Sequence, residues 1–351
     1  MTSDHVILGI SGGVDSAVAA CLLADKGLQV TGLNIRVLDQ APDNLTLEPS
    51  PIVISDNPAY NIPVYTLNLS ATFRDTIIAN FRDEYLAGRT PNPCTLCNRE
   101  IKWKGLLLGA RMLEANLVAT GHYARIIHTE DGPELHKGVD TSKDQSYFLW
   151  MLSKEELDRT IFPLGDLAKS EVRELARKFG VKAAEKKESQ EICFVPHNDY
   201  RAFLSSSIPE LETQVRHGEI IDAGGEIIGH HKGYPFYTIG QRKGLGISAS
   251  EPLYVNRIDP SGNRIHVGSK ESLAQDTLTA HDVNWLTPPP GEPFRASARI
   301  RYRDTETPCR VTPLDNDRVE VVFDIPKQAV TPGQAVVFFR DDTVLGGGII
   351  A

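Results

Sequence analysis

Residues 6–27 read VILGISGGVDSAVAACLLADKG, and this stretch decides the fold. Its apolar start predicts a buried strand, and apolar residues recur at helical spacing after the loop. Ser-Gly-Gly at residues 11–13 lets the backbone approach an anion, and the amide groups at the helix start point towards that anion. Ser16 adds a hydroxyl, and Asp15 offers a carboxylate for magnesium or for the first helical turn. The stretch predicts a phosphate site, with an ordinary strand, loop and helix of an α/β core as the plainer alternative.

The loop differs from the common nucleotide-binding loops. It lacks the lysine of a Walker loop and the third glycine of a dinucleotide fingerprint. SGGVDS, residues 11–16, instead resembles the loop of the ATP pyrophosphatases, which split ATP into AMP and pyrophosphate to adenylate a substrate oxygen. That superfamily includes NAD and GMP synthetases, argininosuccinate synthetase, tRNA lysidine synthetase and the tRNA thiolases, so the loop alone does not choose among them.

Composition indicates an ordinary globular protein. The chain has 351 residues, of which 41% are hydrophobic and 24% charged, and this length suits two or three domains. No apolar run is long enough to cross a bilayer and no leader precedes the first strand, so we expect a cytoplasmic protein without membrane association. The cysteines form an odd, sparse set that favours thiol or metal chemistry over a disulfide framework. They are Cys21, Cys94, Cys97, Cys193 and Cys309.

Charge is distributed unevenly along the chain. The net charge is −9, yet residues 88–111 carry five basic residues against one acidic residue, and residues 230–270 carry six against two. Solvated basic faces are the plainer explanation of both segments. Two such segments on an acidic protein also suit a polyanion that is held at defined places.

The first half of the chain alternates strand and helix patterns, which predicts a mostly parallel sheet covered by helices. The predicted strands are 6–10, 29–35, 64–67 and 117–120. The predicted helices are 16–26, 72–87, 98–115 and 170–179, the last with Ser170 as N-cap and Gly180 at its end. From residue 215 the pattern favours β structure, with a break at 278–293 and a small barrel or sandwich over 294–351.

A cysteine-bearing motif occupies residues 89–104, RTPNPCTLCNREIKWK. Its prolines stiffen a loop that delivers Cys94 and Cys97 to the start of a helix. A helix N-terminus with basic neighbours stabilises a thiolate, although half of a zinc site and a redox pair are equally open readings. The distant Cys193, in SQEICFVP, is the natural third thiol.

Two further motifs carry polar side chains next to predicted strands. ATGHYAR, residues 119–125, places Gly121 and His122 at the rim of the nucleotide cleft, although a lone histidine is more often structural than catalytic. KDQSYFLW, residues 143–150, offers polar side chains for phosphate or base edges, with a capped helix start as the alternative.

Seven motifs span nearly the whole chain: SGGVDS, RTPNPCTLCNREIK, ATGHYAR, KDQSYFL, EICF, GYPFYTIGQRKGLGI and ARIRYR. In that order they resemble the tRNA-specific 2-thiouridylases, which adenylate the C2 oxygen of the anticodon wobble uridine and replace it with sulfur. The resemblance implies an α/β fold class. A parallel-sheet, adenine-nucleotide alpha-hydrolase-like domain would span 1–205, a small central β-rich domain 206–275, and a C-terminal β-barrel 276–351. ATP, magnesium, a tRNA with a wobble uridine and a sulfur donor protein, a cysteine desulfurase or sulfur relay, are also implied.

The matching positions imply roles for particular residues. ATP would contact Gly9, Ile10, Ser11, Gly12, Gly13, Val14, Asp15, Ser16, Ile35 and Gly121. The target base would face Asn92, Pro93 and Cys94. The tRNA would contact Lys143, Asp144, Gln145, Arg301, Tyr302, Gln334 and His122. Cys97 matches the nucleophile, and Cys193 matches the cysteine that carries the persulfide.

The chain departs from the family pattern at two places. Many members carry aspartate where this chain has Cys94, so Cys94, Cys97 and Cys193 can converge here. Soft thiolates favour iron–sulfur clusters, and a cluster on these three cysteines is a hypothesis beside the persulfide route. Residues 38–63 replace the helix expected after the second strand with a predicted loop or short irregular excursion.

Two competing functions share these features. Another ATP pyrophosphatase would use ammonia or an amine as nucleophile and would not need three spaced cysteines. A protein that binds tRNA under the control of ATP, without chemistry, would use the basic segments and the β units alone.

Overall fold

The structure, a computed structural model, describes residues 4–182, 192–287 and 291–351. Among these residues, the N-terminal part contains eight strands. They are His5–Gly9 (β1), Gln29–Arg36 (β2), Asn44–Pro49 (β3), Val64–Asn68 (β4), Leu117–Ala119 (β5), Ala124–Thr129 (β6), Gly132–Lys137 (β7) and Thr160–Ile161 (β8). Six form one sheet in the order β3-β4-β2-β1-β5-β8, and all its pairings except β3–β4 are parallel. The predicted parallel sheet is confirmed, and the loop after β1 lies where the strand order reverses, which is the usual ligand position.

Residues 38–63 are more regular than predicted. They contain β3, which pairs antiparallel with β4 at the edge of the sheet, and a 3-10 turn at Pro58–Tyr60. Asp43 connects this segment to the start of the helix that follows β4, because its carboxylate accepts hydrogen bonds from the backbone N–H groups of Ala71 and Thr72. The expectation of an irregular loop is therefore wrong at the strand. Exposed residues dominate β3, so its apolar pattern is weak.

Seven helices accompany these strands in the described residues. They are Val14–Asp25 (α1), Ser70–Phe73 (α2), Ala79–Leu86 (α3), Pro93–Cys97 (α4), Lys104–Met112 (α5), Lys154–Asp158 (α6) and Lys169–Lys178 (α7). Wide π turns at Arg74–Ile78 and Asn98–Trp103 join α2 to α3 and α4 to α5. Ser170 is not the N-cap of α7. Ala168 takes that position, and its N–H donates to Glu171 Oε2 at 2.7 Å.

Apolar cores lie on both faces of the sheet. One contains Val6 and Leu8 with α1 and α7 residues, and the other contains Ile7 with residues of α3 and α5. The second core continues without a break into the central unit, where it includes Val255 and Ile265. The two units therefore share buried apolar surface.

The central unit begins with two helices, Tyr200–Ser207 (α8) and Leu211–Val215 (α9). Four strands follow: Gly218–Ile221 (β9), Ile227–His231 (β10), Tyr254–Asp259 (β11) and Arg264–Gly268 (β12). They form a sheet in the order β10-β9-β12-β11. The predicted change to β structure after residue 215 is confirmed.

The C-terminal unit is a closed barrel of six strands. They are Ala274–Trp285 (β13), Phe294–Arg299 (β14), Thr307–Leu314 (β15), Arg318–Gln328 (β16), Ala335–Arg340 (β17) and Thr343–Ile350 (β18). The order β13-β16-β15-β14-β17-β18 closes through a β13–β18 pairing. The break expected over 278–293 is wrong for its first part, because β13 continues to Trp285. The β6–β7 hairpin of the N-terminal part extends this sheet beside β18.

Within the described residues, no helix combines the length and the apolar character needed to cross a membrane.

Candidate active site

The loop between β1 and α1 forms a small cradle. Gly12 has φ +73°, a left-handed conformation that favours glycine. Gly13 is the N-cap of α1, and because it has no side chain the amides of the first turn receive no side-chain cap. The hydroxyls of Ser11 and Ser16 lie 3.3 Å apart, and Ser16 also donates to the carbonyl of Gly13. Amide groups at a helix start that lack a cap favour an anion, so the predicted phosphate site has suitable geometry.

Both oxygens of the Asp15 carboxylate have partners within the protein. Lys169 Nζ lies 2.7 Å and 2.8 Å from its two oxygens, and the Tyr123 hydroxyl donates to it at 2.8 Å. Lys169 is only 8% exposed at the start of α7. Asp15 therefore fixes a buried cation beside the phosphate loop, and this arrangement does not support Asp15 as a free magnesium ligand.

Gly121 packs directly on the first turn of α1. A Cβ atom here would lie 2.9 Å from the carbonyl carbon of Asp15 and 2.9 Å from the nitrogen of Ser16, so a side chain would force the two segments apart. Two other predicted nucleotide contacts, Ile10 and Ile35, lie at or just beyond the carboxyl ends of the neighbouring strands β1 and β2. The structure thus brings the predicted ATP residues to one edge of the sheet.

His122 follows this turn and is held as a neutral ring. Its Nδ1 lies 2.7 Å from the Thr120 hydroxyl, and the ring packs near Trp103 and Phe162. Burial, with a smaller effect from the Lys102 charge, holds the pKa of His122 well below its usual range. It can therefore offer a hydrogen bond to tRNA but no positive charge.

Cys94 and Cys97 lie on α4, which starts at Pro93 after the loop of residues 87–92. Burial raises the pKa of Cys97 to about 11 and also raises that of Cys94, while the Lys102 ammonium opposes both shifts. These raised pKa values do not favour the expectation that the helix start and basic neighbours make a ready thiolate, and that expectation stays a prediction. Displacement of water by the surrounding protein outweighs the favourable charge.

Cys193 lies close to these two cysteines. It is exposed, while the next residue, Phe194, is buried in T-shaped contacts with Phe73 and Phe81. Its thiol influences the pKa of both Cys94 and Cys97, which places it within electrostatic reach of them. Although the residue is exposed, the protein around its thiol displaces part of the surrounding water and raises the pKa of Cys193 as well, and Lys102 again opposes the rise.

All five cysteines are free thiols. Among residues 4–182, 192–287 and 291–351, no group of three histidine, cysteine or acidic side chains is arranged to hold a metal ion. The set Cys94, Cys97 and Cys193 is therefore not arranged as the ligands of a single metal ion. The predicted motif residues Ser189, Gln190 and Glu191 lie outside the described part.

The predicted tRNA contacts at residues 143–145 divide into different environments. Lys143 is partly exposed, but Asp144 is 2% exposed and accepts the N–H groups of Gly138 and Ser146. Arg299 of the barrel pairs with the Asp144 carboxylate at 3.2 Å. Gln145 Oε1 accepts the Tyr123 N–H. Asp144 thus links the N-terminal part to the barrel. Because it is buried, it is not placed to contact tRNA directly.

The predicted contacts on the barrel surround the cysteine loop. The Tyr302 ring packs 4.5 Å from Phe148, and Arg301 beside it is exposed. The Tyr147 hydroxyl donates to the carbonyl of Ala335, and the neighbouring Gln334 donates to the carbonyl of Pro91, next to Asn92. The structure therefore brings the predicted tRNA residues close to the predicted target-base residues.

The sequence motifs do not identify three cationic side chains that are important in this site. Lys102 was counted only as part of a basic segment, and Lys169 and Arg299 were not singled out. In the first segment, Arg89 pairs with Glu84, and Glu100 pairs with Arg99 and Lys104. Lys102 is the member that acts on the thiols. Its position five residues after Cys97, on a π turn, was the available signal.

Comparison with known families first defines a class. The tRNA methyl transferase HUP domain matches residues 4–197, the tRNA methyl transferase PRC-barrel domain 202–269, and the Aminomethyltransferase beta-barrel domain 275–350. Fold and phosphate loop thus define a HUP-type nucleotide-binding protein with two appended β units.

Relatives narrow the class to one family. They are named tRNA-specific 2-thiouridylase MnmA and come from Chlorobium phaeobacteroides (strain BS1), Chlorobium phaeovibrioides and Chlorobaculum tepidum. Their identities are 63%, 61% and 60%, over 99%, 98% and 99% of this chain and 97%, 97% and 95% of their own. The chain belongs to the tRNA-specific 2-thiouridylase family, a family of sulfurtransferases that modify tRNA. The sequence resemblance is confirmed, and the two competing functions gain no support.

Proposed function

We propose that this chain adenylates the C2 oxygen of the anticodon wobble uridine of tRNA and then replaces that oxygen with sulfur. One observation carries the proposal: the segment that bears the cysteines contacts the residue beside the phosphate loop. The ring of Trp103, six residues after Cys97, packs with its centroid 5.8 Å from that of His122. His122 follows Gly121, which packs on the phosphate loop. Nucleotide and thiol chemistry can therefore meet at one uridine.

The phosphate loop would hold ATP for the first step. The uridine C2 oxygen attacks the α-phosphorus, the bond to the β-phosphate breaks, and pyrophosphate leaves. Amide groups at the start of α1 and the hydroxyls of Ser11 and Ser16 would stabilise the phosphate charge. Lys169, held by Asp15, supplies a buried positive charge beside the loop. The product carries AMP on C2, which is a far better leaving group than the original oxygen.

The thiols would perform the second step. The terminal sulfur of a persulfide on Cys193 attacks C2, and AMP departs with the electron pair of the broken C–O bond. Cys97 then attacks Cys193 Sγ, so the persulfide S–S bond breaks and the tRNA keeps the outer sulfur. The proton of the Cys97 thiol is lost during the attack. A thiol reductant must then reduce the resulting Cys97–Cys193 disulfide before the next turnover.

Several further elements belong to this proposal. Exposed Cys193 would receive its persulfide from a sulfur donor protein, a cysteine desulfurase or sulfur relay. Lys143, Arg301 and Tyr302 would contact the tRNA, Asn92, Pro93 and Cys94 would face the base, and a cytoplasmic location is expected. Magnesium would accompany ATP, although Asp15 is not free to bind it. The division at residues 205/206 and 275/276 remains a prediction.

The iron–sulfur hypothesis is a separate route on Cys94, Cys97 and Cys193. The described cysteines are not arranged around a single metal ion, so the proposed reaction uses the persulfide route. Iron and sulfide analysis of anaerobically purified protein separates the routes. Stoichiometric iron and acid-labile sulfide would favour the cluster, and their absence in an active preparation would favour the persulfide.

Mercury-gel retardation of unmodified tRNA tests the proposed reaction. The protein is incubated with tRNA, ATP, magnesium and a sulfide or persulfide source, beside Cys97→Ser, Cys193→Ser and Cys309→Ala. Cys309 is a matched thiol control, because it is fully buried in the barrel. We expect retarded tRNA with the parent and with Cys309→Ala only. Retardation with Cys97→Ser would overturn the assigned role of that thiol.

A further inference from the structure

The loop at residues 87–92, here called the thiol loop, precedes the cysteines and lies between the two appended β units. Pro91 has no N–H group, so the loop cannot form a regular hydrogen-bonded turn through that residue. Its carbonyl groups need donors from elsewhere in the protein. The barrel supplies them.

The barrel turn at residues 331–334 contacts the thiol loop through three hydrogen bonds. Gln334 Nε2 donates to the carbonyl oxygens of Thr90 at 2.9 Å and Pro91 at 3.1 Å. In return, the N–H of Thr90 donates to the carbonyl of Pro332 at 2.8 Å. Two carbonyl acceptors require the NH2 group of Gln334 at this position, which fixes the orientation of its side-chain amide.

The barrel turn is itself rigidly held. The N–H of Gly333 donates to the carbonyl of Ile350, and the N–H of Ile350 donates to the carbonyl of Gln334. Gly333 has φ +88°, and a Cβ atom there would lie 3.0 Å from the Thr90 carbonyl oxygen and 3.1 Å from Arg89 Cβ. The turn therefore approaches the thiol loop closely only because this residue is glycine.

The central unit holds the other end of the thiol loop. The Tyr234 hydroxyl donates to the carbonyl of Leu86 at 2.7 Å. A Cβ atom at Gly88 would lie 2.7 Å from Pro260 and 3.0 Å from Ile258. The segment that leads to Cys94 and Cys97 is thus fixed from both sides by units that lie outside the nucleotide-binding sheet.

We propose that the barrel turn at residues 331–334 positions the cysteines, and that Gln334 is a positioning residue whose amide holds the thiol loop. The family resemblance implies a tRNA contact for Gln334, and the structure adds a contact inside the protein that exists without tRNA. Its consequence for sulfur transfer rests on the function proposed above, whereas the effect on the loop itself does not. The appended barrel is then part of the catalytic architecture as well as a surface for tRNA.

The variant Gln334→Met tests this proposal, because it removes both donors while keeping length and adding no charge. Gln328→Met is the matched control, since Gln328 is an exposed glutamine of the same barrel. Two readouts need neither ATP nor tRNA: hydrogen exchange of peptides that cover residues 88–93, and alkylation of Cys94 and Cys97 resolved by mass spectrometry. Steady-state kinetics with unmodified tRNA give kcat and KM separately.

For Gln334→Met we expect exchange across the thiol loop to accelerate about tenfold, alkylation of Cys97 to change at least threefold, and kcat to fall about tenfold. The KM for tRNA should change less than threefold, and Gln328→Met should match the parent. Gly333→Ala, which presses on the loop from the same turn, should also lower kcat. If hydrogen exchange and alkylation are unchanged in Gln334→Met, the proposal is overturned. This holds if the KM for tRNA rises tenfold, as expected for a tRNA contact alone, and also if that KM stays constant.

If neither the parent nor Gln334→Met thiolates tRNA, the proposed function fails. The hydrogen-exchange and alkylation measurements still decide whether Gln334 positions the thiol loop.

Discussion

The phosphate loop and the thiol loop of this protein are built in opposite ways. Ser11, Gly13 and Ser16 of the phosphate loop are joined to one another by hydrogen bonds that span at most five positions, while Asp15 reaches the distant Lys169 and Tyr123. The thiol loop instead depends on Gln334, which is 244 and 243 positions from its two acceptors, and on Tyr234 of the central unit. A loop shaped by local hydrogen bonds can form in many different proteins. The thiol loop requires the N-terminal part, the central unit and the barrel together.

The difference predicts that the two loops can be damaged separately. Variants near the phosphate loop should impair adenylation and leave the thiols unchanged. Variants around the thiol loop should impair sulfur transfer and leave ATP binding unchanged.

The largest effect is expected for Lys169→Met. This variant leaves the Asp15 carboxylate without its cation beside an anionic nucleotide, so tRNA-dependent pyrophosphate release should fall about 100-fold. Loss of this partly buried ion pair should also lower the free energy of unfolding by about 2 kcal/mol. Cys97 alkylation should stay at the parent rate. Lys178→Met, an exposed lysine of the same helix, is the control, and an equal loss in that variant would refute the assignment.

A smaller effect is expected for Lys102→Met. The Lys102 charge lowers the pKa of Cys97 and Cys193, so its removal should raise both pKa values and move the alkylation profile to higher pH. Because the thiolate is the reacting form, alkylation at pH 8 should slow several-fold. Lys102→Arg should retain the parent profile. An equal change in the KM for ATP and in thiol reactivity in Lys102→Met would contradict the claim that the two loops can be damaged separately.

The smallest effect is expected for Tyr234→Phe. It removes a single hydrogen bond to the Leu86 carbonyl, which is worth about 1 kcal/mol of unfolding free energy. We expect kcat for thiolation to fall two- to threefold, with the KM for ATP unchanged. Tyr254→Phe changes a tyrosine on β11 of the same unit and serves as the control. Equal losses in both variants would show that the central unit does not hold the thiol loop through this contact.

Much of the fold was predictable because its signals are local. The strand predicted at 6–10 is a short, mostly apolar run, the strand at 29–35 carries a valine, a leucine and an isoleucine, and Gly180 ends α7 with φ +66° as expected. Four strands of the N-terminal part, β3, β6, β7 and β8, were not predicted; β3 is mostly exposed and β8 has only two residues. The N-cap at Ser170 was misplaced by two residues, since Glu171 instead bonds the backbone of Ala168.

The candidate site was predictable in its residue types but not in its electrostatics. Motifs identified the cysteines and the phosphate loop. The pKa of Cys97 depends on how much water the folded protein displaces, and the burial of Asp144 depends on Arg299, which is 155 positions away. Such contacts between distant residues leave no periodic signal in one sequence.

Pyrophosphate and 2-thiouridine measured in one incubation of Cys97→Ser with ATP, unmodified tRNA and the sulfur donor test the central claim most directly. If the nucleotide and thiol halves are separate steps of one reaction, pyrophosphate release should still require tRNA and should continue for at least one turnover, while no 2-thiouridine forms. Loss of pyrophosphate release together with thiolation, in a variant that still binds ATP and tRNA, would contradict that separation.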